Sequence, residues 1–239
     1  MKVRLTGTGS MWTEYGCASV LVDENIMIDL PGGLSKTLLR MGVDPFGIDS
    51  VLLTHMHGDH TLELPVWALN RVKHGAAEKS SRICAAAEHA EGIRKLMALS
   101  FSESLKEENI SRFFEFVAED CFSAGPYLVR RIPVSHGSLP SCGYELCDGK
   151  NTVSVSGDTC MCDGLRQMAA ESVLLICETA LPEGNDKHMG VRDVVCLAEE
   201  FPDCRIITTH MGDEARKLLE KENAGNLIIG TDGMECCIS

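Results

Sequence analysis

The stretch from Ser50 to His60, S-V-L-L-T-H-M-H-G-D-H, constrains this chain more than any other. Val51, Leu52 and Leu53 form a short apolar run of the kind that becomes a buried strand, and the run stops abruptly at Thr54. Three histidines and an aspartate follow, from His55 to His60. Imidazole and carboxylate suit zinc and its borderline neighbours, and two ligands one residue apart on a turn can face one ion. His55 and His57 would serve a first metal; Asp59 and His60 would serve a second, with Gly58 allowing the tight bend between the pairs. The competing reading, polar residues on an exposed loop, leaves unexplained why four ligand-type side chains stand in this order at a strand end.

The run resembles the metal-binding signature of the metallo-β-lactamase superfamily, His-x-His-x-Asp-His, which that family carries on the loop after a core strand. The resemblance implies an α/β fold, a four-layer αββα sandwich with two similar halves. Its active cleft would lie at one edge, where strand ends converge.

More distant residues test the resemblance. Val134-Ser135-His136-Gly137 places a histidine after an apolar strand, Ser156-Gly157-Asp158-Thr159 an aspartate at another strand end, and His210 follows the strand Arg205 to Thr209. Each has an ordinary alternative. His136 alone reads as a satisfied core or loop histidine, and Asp158 as a helix N-cap. Asp29, at a strand end before Pro31, Gly32 and Gly33, either orients a metal-bound histidine or caps a helix over Leu34 to Met41. Taken together, they follow the order the superfamily uses. By resemblance, one metal takes His55, His57 and His136, the other Asp59, His60 and His210, with Asp158 between them. Six of the eight histidines then fall at site positions, leaving His74 and His89 as surface residues near helix ends.

Beyond the signature, the whole chain is similar to the ribonuclease Z and phosphodiesterase branch, through L-T-G-T-G-S near the start, S-H-G-S-L-P-S-C-G-Y around His136, S-G-D-T at Asp158, E-T at Glu178 and K-H-M-G at His188. The resemblance assigns Asp59 and His188 to the catalytic machinery, His188 stabilising or protonating the leaving oxygen, and places Asp29 and Glu178 behind the ligands. A cap for the following helix is the other role open to His188. The cofactors implied are two divalent metal ions, zinc first, with manganese or iron also compatible with an all nitrogen and oxygen donor set. Zinc lowers the pKa of a bound water from about 15.7 to about 7, so hydrolysis is the expected chemistry.

Two departures narrow the substrate. Bacterial ribonuclease Z holds transfer RNA with a long arm, yet Gly143 to Val155 leaves room only for a hairpin. The superfamily's lactonases use a tyrosine shortly after the bridging aspartate, where this chain has Met161. A small phosphodiester, cyclic nucleotides included, is therefore the expected substrate. The alternatives are a carboxylic ester, thioester or lactone hydrolase, a ribonuclease Z-like tRNA 3′-processing nuclease, and a non-catalytic metal-binding accessory subunit. A diiron redox protein on this scaffold is disfavoured, because the signature's second histidine, His57, is retained.

Composition agrees. A chain of 239 residues with 44% hydrophobic and 24% charged residues reads as one globular domain spanning 1–239. Its net charge of −13 opposes unaided binding to a phosphate backbone. Arg130 and Arg131 read as a solvated strand edge, and the twelve cysteines mostly as reduced, buried, small apolar residues. No apolar run approaches the roughly 20 residues that cross a bilayer, and Met1 to Ser10 lacks the features of a signal peptide. The expectation is a cytoplasmic protein without membrane partners; a homodimer is compatible, since relatives are often dimers.

Overall fold

A computed structural model describes residues 1–74, 77–78, 80–222 and 225–239. Its strands are β1 (Lys2–Gly7), β2 (Ser19–Val22), β3 (Ile26–Ile28), β4 (Ser50–Leu52), β5 (Ser81–Cys84), β6 (Phe114–Val117), β7 (Cys121–Ala124), β8 (Tyr127–His136), β9 (Leu139–Cys147), β10 (Thr152–Val155), β11 (Leu174–Glu178), β12 (Arg205–Thr209), β13 (Leu227–Ile229) and β14 (Glu235–Cys237). They form two seven-stranded sheets, ordered β14-β1-β2-β3-β4-β5-β6 and β13-β12-β11-β10-β9-β8-β7. Read from β14 in one and β7 in the other, each sheet has three antiparallel pairings followed by three parallel ones. The two halves therefore match strand for strand, and β3 and β4 correspond to β10 and β11.

Alternation along the central strands explains the layering. Val20, Val22, Ile26, Ile28 and Leu52 face the second sheet, where they meet Leu174, Ile176 and Ile207. Leu21, Met27, Val51 and Leu53 face the other way. Both faces are buried, so the strands read as continuous apolar runs. Each buried aliphatic side chain contributes about 1.5–3 kcal/mol, and a one-residue slip would exchange the faces, which is why the register is well determined.

Helices cover the outer faces. On the first sheet lie α1 (Leu34–Arg40), α2 (Gly58–Thr61), α3 (Leu64–Lys73), α4 (Ala90–Ser100) and α5 (Glu107–Phe113), burying Leu34, Leu38, Trp67, Ile93, Met97 and Ile110. On the second lie α6 (Asp163–Glu171), α7 (Val191–Glu200) and α8 (Asp213–Leu219), burying Leu165, Met168, Val194, Leu197 and Leu219. This is the expected four-layer sandwich. Among the described residues no helix is long and apolar enough to cross a membrane.

Several local expectations are corrected. The apolar strand near His136 runs through that residue instead of stopping at Val134. His89 is not a surface residue; it is buried. Arg131 is also buried, holding Asp120 and the Ala118 carbonyl, so only Arg130 is partly open. All twelve cysteines are free thiols, but only Cys84, Cys142, Cys177 and Cys204 are buried.

Candidate metal centre

Every sequence-derived ligand sits at one edge of the sandwich. β3, β4, β10, β11 and β12 deliver their C-terminal ends there, and β8, two antiparallel steps from β10, delivers His136. The pseudo-symmetry puts Asp29 after β3 where Asp158 follows β10. Gly157 makes the second turn possible: its φ is 62°, and a Cβ there would lie 2.8 Å from the Cys142 carbonyl oxygen and from Thr54 Cβ. Asp29 and His210 carry left-handed backbones of their own, φ 61° and 53°. Such conformations cost of order 1–3 kcal/mol and concentrate at functional sites.

Two ligand groups meet at Asp158. His55, His57, His136 and Asp158 offer donor atoms within 4.8 Å of one another, as do Asp59, His60 and His210. Asp158 Oδ1 lies 3.4 Å from His60 Nε2, while Oδ2 lies 3.7 Å from His55 Nε2 and 3.6 Å from His210 Nε2. His136 Nε2 is 3.3 Å from His57 Nδ1. Ligands about 2.0–2.2 Å from a tetrahedral ion stand about 3.3–3.6 Å apart, so these spacings are those of a coordination shell. His55 Nε2, His60 Nε2 and Asp158 Oδ1 are buried without a hydrogen-bond partner, which a cation would satisfy. The donor set fits divalent metal.

The groups behind the ligands fix their tautomers. Asp29 accepts from the Thr54 N–H at 2.9 Å, the Thr54 hydroxyl at 2.8 Å and His60 Nδ1 at 2.7 Å. Because Thr54 spends its proton on Asp29, its oxygen accepts from His55 Nδ1, 3.0 Å away, and His55 Nε2 is left as a lone pair facing the cluster. His136 Nδ1 donates to the Lys187 carbonyl at 2.8 Å with the same result. Asp29 does not cap α1; Glu63 takes the Gly33 and Ser35 N–H groups instead. Nor does Asp158 cap α6, whose N-cap is Cys162.

Electrostatics prepare the site for cations. Burial, reinforced by His60, pushes His55 down to about 2, so it is a neutral ligand at physiological pH. Burial opposes ionisation of Asp158, but His210, His60 and His55 hold its carboxyl well below the usual range. Burial likewise works to lower His60, yet Asp158 and Asp29 raise it well above the usual value. His60 would give up that proton on holding a divalent cation.

His188 stands beside the cluster. Its Nδ1 donates to Glu178 Oε1 at 2.9 Å, and its ring stacks on His210 with centroids 5.7 Å apart and 9° between planes. Glu178 is fully buried and also accepts from the Thr159 and Ala180 N–H groups, each at 2.9 Å. Asn185 Oδ1 holds the Lys187 and His188 N–H groups. His188 does not cap α7, since Gly190 occupies that position. Thr54 and Asn185 are the two positioning residues the sequence reading passed over; a hydroxyl beside the first ligand and an Asn three residues before His188 were the available signals.

Asp29→Asn keeps the shape but places an amide against one of its present donors. It is expected to weaken metal binding about 10- to 100-fold, measured by competition with a chromophoric chelator. Unchanged affinity would show that Asp29 serves only the fold.

The sandwich and its edge cluster define a metal-dependent hydrolase of the metallo-β-lactamase fold. The chain belongs to the family described as Anti-Pycsar protein Apyc1, whose model matches residues 1–231. It is 24% identical, over an alignment of 273 residues, to Ribonuclease Z of Mycobacterium bovis (strain BCG / Pasteur 1173P2), covering 97% of this chain and 96% of that one. The metallo-beta-lactamase fold protein YhfI of Bacillus subtilis superposes with a TM-score of 0.78 at 19% identity, covering 98% of each chain. Unliganded yeast PDE1 superposes at 0.71 and 15% identity, again covering 98% of each.

Proposed function

We propose that this protein hydrolyses small phosphodiesters, cyclic nucleotides among them, at a centre holding two divalent metal ions, with zinc the favoured ion and manganese or iron compatible. His55, His57 and His136 would hold one ion and Asp59, His60 and His210 the other, with Asp158 shared. When bound, the metals supply a nucleophile at neutral pH and stabilise charge developing on the phosphoryl oxygens.

The observation that carries the reading is His188, backed by Glu178 and facing the same cleft as Asp59 and His57. Hydrolysis adds one water across a P–O bond, and the departing alkoxide needs a proton. His188 Nδ1 is committed to Glu178, which leaves Nε2 to deliver it. An aryl ester, whose phenolate departs unaided, has less need of such an acid. The cleft measures about 260 Å³, near the lower bound of about 300 Å³ for small-molecule sites, and suits a compact ligand. Between β9 and β10 only Asp148 to Asn151 intervene, so no arm projects there, and the net charge of −13 repels a polyanion.

A second reading, cleavage of RNA, is supported by the match to a ribonuclease Z over nearly the full length of both chains. Metal-loaded protein offered 3′,5′-cyclic nucleotides, a bis-aryl phosphodiester, simple lactones and a 3′-extended precursor tRNA separates the possibilities. Turnover of the cyclic nucleotides and the aryl diester is expected. Cleavage of the tRNA alone would reverse the assignment, turnover of lactones alone would move it to ester chemistry, and bound metal with no turnover would leave a binding role.

A further inference from the structure

Between β11 and α7 the chain passes the metal edge as a loop, and five consecutive residues of it, Glu183 to Lys187, are exposed. A loop in water has little packing to fix its shape. This one is fixed at three places instead. Its neck is closed where the Leu181 N–H donates to the Met189 carbonyl at 3.2 Å and the Gly190 N–H to Asp193 Oδ2 at 2.8 Å. Its tip is folded by Asn185, whose Oδ1 accepts from the Lys187 N–H at 2.8 Å and from the His188 N–H at 2.9 Å. The Asn185 N–H completes the turn by donating to the His188 carbonyl at 3.0 Å. The third attachment is to the metal cluster.

The tip grips one candidate ligand, His136, through successive residues. His136 Nδ1 donates to the Lys187 carbonyl at 2.8 Å, and the Gly137 N–H donates to the Asp186 carbonyl at 3.1 Å. The Lys187 stem lies over Gly137, 3.1 Å from where a Cβ would stand. The His188 ring meets the His136 ring edge to face, with centroids 4.8 Å apart, while its own Nδ1 reaches Glu178. The turn made by Asn185 therefore sets two things at once: the carbonyl that orients His136, and the ring that stands beside it.

We infer that Asn185 is a positioning residue that couples the first ligand group to His188. Its amide holds Lys187 and His188 in one turn, so the loop shape that presents the Lys187 carbonyl to His136 is the shape that presents the His188 ring to the cleft. Coupling of this kind is reciprocal. A folded tip favours metal binding by His55, His57 and His136, and a His136 held by metal binding in turn holds the tip. The part of the inference that concerns the proton rests on the phosphodiester reading above; the part that concerns metal does not.

Asn185→Ala and Asn185→Asp separate this coupling from a merely structural role, because aspartate keeps an oxygen for both N–H groups. In Asn185→Ala the affinity for zinc, measured by competition with a chromophoric chelator, should fall about 10-fold, the lower end for a group behind a ligand. Its kcat should fall roughly 10-fold further on a 3′,5′-cyclic nucleotide than on a bis-nitrophenyl diester, the signature of a displaced proton donor. Asn185→Asp should restore most of both losses. Without any substrate, zinc should slow hydrogen exchange of the Gly137, Lys187 and His188 amides in the wild type and in Asn185→Asp, but not in Asn185→Ala. Wild-type zinc affinity in Asn185→Ala, or exchange in the wild type that ignores zinc, would overturn the coupling. So would losses in Asn185→Asp equal to those of the alanine variant, or metal loss with equal kcat losses on the two diesters. If the wild type turns over neither diester, the phosphodiester reading falls, and zinc affinity and exchange alone decide the coupling.

Discussion

Asp158→Ala is expected to abolish hydrolysis, lowering kcat by roughly 10³-fold or more, and to leave the protein unable to hold its full complement of metal. The reason is topological as much as chemical. Among the described residues Asp158 is the one carboxylate within reach of both histidine groups: 3.4 Å from His60 Nε2 on one oxygen, 3.7 Å from His55 Nε2 on the other. Without it, four buried imidazoles and the exposed His57 face one another with only Asp59 among the candidate ligands to offset two cations. Elemental analysis after dialysis gives the stoichiometry, and thermal melting with and without added zinc gives the linkage. A ligand at 100 times its Kd stabilises the fold by about 2.7 kcal/mol, and that increment should shrink or vanish in the variant. Removing one partner of a buried charge pair itself costs about 3–5 kcal/mol, so melting without added zinc measures that loss separately from the metal-dependent increment. Full activity or full metal content in Asp158→Ala would rule out the shared position.

The run from Val51 to His60 made most of this site readable before any coordinates. A strand buried on both faces announces itself as an unbroken apolar run, and the polar side chains that could hold a metal follow where it ends, so His55, His57, Asp59, His60, Asp158 and His210 could be placed together by locating strand ends. The two halves share one topology, which is why the same rule worked at β4, β10 and β12. The rule had limits of two kinds. Elements with little apolar content escaped it: β7 has only Phe122 and Ala124 turned inward, and α8 opens with Asp213 and Glu214 and carries Arg216 and Lys217 in its last turn, so that four of its seven residues are charged. Burial of polar residues escaped it too. Nothing in the sequence around His89 or Arg131 shows that the chain folds back over them, because such burial depends on contacts far apart in sequence. The helix-capping alternatives for Asp29, Asp158 and His188 were undecidable for the same reason. They were resolved by what each side chain touches: Thr54 and His60, the histidine cluster, and Glu178.

His188→Ala is expected to lower kcat by about 10²- to 10⁴-fold on a diester with an alkoxide leaving group while metal content stays at the wild-type level. The size of the loss should depend on the leaving group. An alkoxide departs as a strong base and needs its proton during bond cleavage, whereas a nitrophenolate departs unaided. A proton donor at His188 therefore predicts a large loss on a cyclic nucleotide and a much smaller one on a bis-nitrophenyl diester. A purely electrostatic role predicts comparable losses on both. The geometry poses one further alternative, because Asp158, His188 and His210 also offer donors within 4.8 Å of one another. If His188 were itself a ligand, its removal would cost metal as well as rate. Glu178→Gln supplies the complementary measurement. It keeps the size of the side chain but removes the carboxylate that His188 Nδ1 donates to, at 2.9 Å, so it should reproduce part of the kcat loss, with the same leaving-group dependence and no loss of metal. Retained metal, a steep leaving-group dependence and a parallel but weaker effect at Glu178 would together place the proton on His188 Nε2; metal loss in His188→Ala would move the residue into the coordination shell.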